Sequence, residues 1–163
     1  MKWGMMANKH LATYLNDHLA GSVSALELLS SLETAQADID MARFVSELRV
    51  EIETDQQELE NLMQRLQITE SRPRQAGGWL AEKVLQIKLR LDDPDGGALY
   101  LLESLELLAI GIEGKRRLWR ALAAAAVPGL QLTDYERLTK RAEEQQQRVE
   151  TVRLVAAKTA FAT

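Results

Sequence analysis

Apolar residues recur along this chain at alternating steps of three and four, in four long stretches. In the first, Leu11, Leu15, His18, Ser22, Ala25, Leu29 and Leu32 fall on one stripe of a helix running roughly from Asn8 to Glu33. In the second the stripe is Met41, Val45, Leu48, Ile52, Asp55, Leu59, Leu62 and Leu66, with Glu47, Glu53, Gln57, Glu60 and Gln64 on the solvated face and Asp38 placed to cap the start. Only a few residues join the two, so they form an antiparallel hairpin. A third helix from about Ala98 to Ala126 buries Leu101, Leu105, Leu108, Ile112, Trp119 and Leu122 and stops at Pro128–Gly129. Gly111 and Gly114 fall inside it. Each costs up to about 1 kcal/mol relative to alanine, and the expected reason for them is close approach of a neighbouring helix. The fourth helix opens with Thr133 and Glu136 at capping-box spacing and carries Tyr135, Leu138, Ala142, Gln145, Val149, Val152 and Ala156 inward.

Between helices two and three the pattern weakens. Ser71–Gly78, with Pro73 and a glycine pair, reads as a loop, and Asp92–Gly97, DDPDGG, as a turn. Trp79–Leu91 fits a short helix through Leu80, Val84, Ile87 and Leu91, although Leu85–Leu91 also alternates as a strand would. A lone strand would leave its backbone groups without partners, so helix is the reading adopted. A connection of about thirty residues is too long for a tight turn but long enough to return along a helix of ~40 Å. The expected fold is therefore all-α: a four-helix bundle of up-down-down-up order, with a long crossover between helices 2 and 3 carrying a short extra helix, and residues 1–163 forming one domain.

Each of the four stripes is interrupted once by a polar side chain: His18, Asp55, Lys115 and Gln145. With crossover connectivity all four fall at one level, roughly 15–18 Å from the same end of the bundle; in a simple up-down-up-down order they do not. A buried polar layer is predicted, flanked by Tyr14 and Tyr135. Such a layer can act structurally, fixing helix register as one polar residue does in a coiled coil. It can also form a site, because Asp, Lys and His in a dry interior have perturbed pKa values and can hold a small anion or move a proton. In a third arrangement Lys115 reaches water along its aliphatic stem and no layer forms.

Composition narrows the range of function. The chain of 163 residues has three prolines, nine glycines and no cysteine, which suits long helices and removes disulfides, thiolate metal sites and cysteine nucleophiles. A formal charge of −4 argues against nucleic acid, and with neither a signal-like start nor an apolar run of spanning length the expectation is a cytoplasmic protein with no membrane partner. No glycine-rich phosphate loop is present, and Ser22 beside His18 reads as a small packing residue. His10 is expected to be exposed. Arg116, Arg117 and Arg120, with Lys115, make the one basic cluster, suited to an acidic partner or to the negative end of the helix dipole.

DHLAG at Asp17–Gly21, the long crossover, and GIEGKRRLW at Gly111–Trp119 resemble the ferritin-like four-helix bundles, in particular a bacterial group without the metal ligands. The resemblance implies the crossover connectivity. Di-metal members of that fold take a Glu-x-x-His from each of two helices. Here Leu15 stands three before His18 and Ala7 three before His10, so no metal or other cofactor is expected. Glu47, Glu51, Asp55 and Glu58 of helix two, with Glu106 and Glu113 of helix three, mostly flank the apolar stripe, where charges are solvated. The functional expectation is a binding or interaction module with no catalytic residue, engaging a protein partner or a second copy as a homodimer. The alternative is a small-molecule binding protein or enzyme that uses the polar layer.

Overall fold

A computed structural model describes the backbone of residues 2–71 and 93–162, and side chains from Lys9 onward. The described residues form four helices: α1, Lys2–Ala35; α2, Ile39–Arg65; α3, Ala98–Ala124; and α4, Tyr135–Ala160, with one 3₁₀ turn at Leu130–Leu132 before α4. No strand occurs among the described residues. The first helix begins earlier than its apolar stripe requires. The expected helix at Trp79–Leu91, and the loop before it from residue 72 onward, lie outside the described residues.

The helix ends follow local chemistry. The Asp38 carboxylate accepts from Met41 N at 2.8 Å and starts α2. That helix closes with Gln67 in the left-handed region, φ 56, so that Gln67 N reaches Gln64 O at 3.0 Å and Ile68 N reaches Met63 O at 2.9 Å. This is the Schellman pattern with a glutamine where glycine is usual. In DDPDGG, Gly96 takes φ 67 and Gly97 leaves room for Asp93, whose carboxylate accepts from Tyr100 N at 3.1 Å and caps α3 from outside the helix. The cap of α4 is a correction to the sequence reading: Asp134, not Thr133, accepts from Arg137 N at 3.0 Å. Thr133 instead closes the 3₁₀ turn, and its hydroxyl accepts from Arg65 Nη2 at 2.7 Å.

Cross-helix bonds fix the connectivity. Glu33–Arg49 at 3.0 Å and Ser22–Gln56 at 2.8 Å make α1 and α2 antiparallel. Arg153–Glu106 at 3.1 Å and Arg116–Glu143 at 3.5 Å do the same for α3 and α4. Between α2 and α4, Glu51 meets Arg148, Asp55 meets Arg141 and Glu58 meets Arg137, again with numbers running in opposite directions. Helices α2 and α3 are consequently parallel, and the order is up-down-down-up.

The interior divides in two. One apolar cluster gathers Leu29, Leu32, Val45, Leu48, Leu105 and Val149; the other gathers Leu15, Leu62, Leu118, Trp119, Leu130 and Leu138. On α2 the division falls between Ile52 and Leu59, and on α3 between Ile112 and Leu118, which is where Asp55 and Lys115 stand.

Candidate functional site: a cavity closed by a charged cluster

Position 55 sits on the inward stripe of α2, and the fold leaves Asp55 only 3% exposed. An ionised carboxylate so placed needs both oxygens satisfied. Oδ2 accepts from Lys115 Nζ on α3 and, at 3.0 Å, from Gln145 Nε2 on α4. Lys115 Nζ also donates to Gln145 Oε1, which closes a triangle of three side chains from three helices. On the other side Oδ1 forms an ion pair with Arg141 Nη2, one turn before Gln145 on α4. Lys115 keeps 16% of its side chain exposed and Arg141 24%. Burial pulls the Lys115 ammonium below the ordinary lysine range, against the raising effect of Asp55.

His18 faces the same region without joining the triangle. No hydrogen bond or ion pair links it to Asp55, Lys115 or Gln145 among the described residues; its contact is edge-to-face with Tyr14, ring centroids 4.7 Å apart. Burial lowers its pKa from 6.5, while Asp17 opposes the shift. Tyr14 itself is 37% exposed. Tyr135 packs on Trp119 at 6.4 Å between ring centroids. His10 is exposed. Arg116 and Arg117 both bind the Glu113 carboxylate, which they hold down at about 2.

Between α1, α2 and α3 lies a cavity of about 190 Å³. Its lining includes Asp55 and Lys115, His18 and Ser22 from α1, Trp119 from α3, and apolar groups such as Ile52, Leu59 and Leu118. Three glycines, Gly21, Gly111 and Gly114, also line it. Among the described residues a Cβ added at any of the three would meet nothing within 4 Å, and none has positive φ. Among the described residues no helix comes close to Gly111 or Gly114, and both border the cavity, Gly111 at an exposed position. Ser22 is likewise more than a small packing residue: its hydroxyl accepts from Gln56 Nε2 at 2.8 Å and donates to Leu19 O at 2.7 Å.

Two features escaped the sequence reading. Arg141 was legible only as part of a ladder in which Glu51, Asp55 and Glu58 on α2 meet Arg148, Arg141 and Arg137 on α4, their order running in opposite directions. The cavity had one signal, the interior glycines without a turn to serve. Among the described residues no three His, Cys, Asp or Glu side chains converge as a metal-binding group, and no helix is long and apolar enough to cross a membrane. Comparison with known proteins gives no match: no family, no curated protein and no solved structure aligns with this chain.

Proposed function

We propose that this chain is a ferritin-like bundle working as a non-catalytic binding module, and that what it binds is a small molecule held in the cavity beside Asp55 and Lys115. The observation that carries this reading is the cavity itself, about 190 Å³ and mostly apolar, ending on a buried charged cluster. Ligand sites combine apolar walls with a few placed polar groups in this way. The glycines support it. Three helical glycines cost up to about 3 kcal/mol together relative to alanine, and neither their backbone conformation nor packing among the described residues requires them. All three border the cavity. The ferritin-like assignment rests on the parallel α2 and α3 and on the inward polar residues at mid-bundle. A cytoplasmic setting belongs to the same proposal, for a chain with no cysteine.

An apolar cavity of ~150 Å³ accepts benzene. Thermal unfolding in the presence of toluene tests the proposal: the midpoint rises with toluene concentration in the native protein and not in Gly114→Leu, whose side chain fills the cavity. A midpoint that toluene leaves unchanged in the native protein overturns it.

A further inference from the structure

One titratable group in the cavity wall stands apart from the charged cluster. His18 lines the cavity from α1 and is half-buried there, and among the described residues neither of its ring nitrogens makes a hydrogen bond. Its contact is the edge-to-face packing on Tyr14, one turn earlier on the same helix.

The groups that share the cavity with His18 offer a proton on its ring no buried counter-charge. On α2 the Asp55 carboxylate is already taken, Oδ2 by Lys115 and Gln145 and Oδ1 by Arg141. Gln56, also on α2, gives its amide to Ser22. From α3 comes Lys115, a charge of the same sign as an imidazolium. On α1 itself Asp17 attracts the proton, but it is exposed, so water attenuates the attraction. An imidazolium at this place therefore depends on water for its solvation. The cavity has room for that water: it measures about 190 Å³, against ~30 Å³ for each molecule of the liquid. The rest of the wall, from Ile52, Leu59, Leu108 and Ile112, suits an apolar occupant instead. Water and an apolar molecule compete for one space, and the charge on His18 favours the water.

We infer that occupancy of the cavity is proton-linked: an apolar molecule is held while His18 is neutral and gives way to water when His18 takes up a proton. This rests on the cavity being a binding site, and it adds how that site is regulated. The coupling is reciprocal, so the occupant weakens proton binding by the factor by which the proton weakens the occupant. Burial already holds the His18 pKa below 6.5 in the empty protein, and an apolar occupant lowers it further. Affinity is full above that value and is lost as the pH falls through it.

The test is calorimetric titration of the full chain with toluene at about pH 7.5 and again about one unit below the His18 pKa, read from its imidazole resonances, with circular dichroism confirming the fold at both. Toluene binds about fivefold or more weakly at the acid pH, and His18→Gln, neutral at both, binds it equally at the two. Saturating toluene lowers the His18 pKa, a readout of the native protein that serves even where His18→Gln fails to fold. Equal affinity at the two pH values, a His18 pKa that toluene leaves unmoved, or a pH dependence retained in His18→Gln overturns the linkage and leaves an apolar site indifferent to His18. Failure of toluene to bind even at the higher pH overturns the linkage together with the reading beneath it.

Discussion

Lys115 and Asp55, sixty residues apart in sequence, meet inside the bundle with Gln145 bonded to both. Arg141 approaches the other carboxylate oxygen, so Asp55 has two cations and each cation has Asp55. This asymmetry sets an order of mutational cost. Asp55→Ala leaves two half-buried cations facing each other and destabilises by about 2–4 kcal/mol, whereas Lys115→Met leaves Asp55 neutralised by Arg141 and costs clearly less. Denaturant unfolding of the two variants measures the order, and equal losses would contradict it.

The interior glycines yield an opposite sign. Gly111→Ala and Gly114→Ala add a methyl group into open space and gain helix propensity, so each stabilises by up to about 1 kcal/mol. Destabilisation of either variant would mean that a neighbour already occupies the space.

A further gain is expected at the end of α2. Gln67 holds φ 56, a conformation costing an ordinary residue roughly 1–2 kcal/mol and glycine little. Gln67→Gly therefore raises stability by about 0.5–1 kcal/mol after the added freedom of the unfolded chain is subtracted. A loss in urea unfolding would show that the glutamine side chain contributes more than its backbone costs.

Much of this fold was legible because burial in a helical bundle is written in period. On α3, Leu101, Leu105, Leu108, Ile112, Trp119 and Leu122 were read as inward and are all buried. Asp38 as a cap was equally plain, since its side chain acts within its own turn. Thr133 misled because Asp134, one residue on, competes for the same role, and the Arg65 guanidinium that engages the Thr133 hydroxyl comes from a distant helix. Arg141 was obscured for a related reason. A long side chain can reach the core from the flank of a helix, so its Cα position does not reveal where its charge ends up. The cavity was hidden because the stripe pattern records which side chains face inward, not whether they fill the space between them.

His18 gives the protein an acid sensitivity of defined sign. Its folded-state pKa lies below 6.5, so below that pH the unfolded chain takes up a proton that the folded protein resists. Stability contributed at higher pH is lost as the pH falls from 6.5 through the folded-state value. The groups around the ring are Tyr14 and Asp17 on its own helix, with Asp55, Gln56 and Lys115 lining the same cavity. His18→Phe flattens the stability profile between pH 6.5 and the folded-state value. An unchanged slope in that variant would assign the acid loss to other groups.

The central claim is that the space between α1, α2 and α3 takes up a small molecule, and the resonance of the Trp119 indole N–H is the most direct reporter of it. On titration with toluene that resonance shifts and saturates in the native protein, and stays still in Gly114→Leu. A shift that never saturates, or one that is the same in the variant, would contradict the claim.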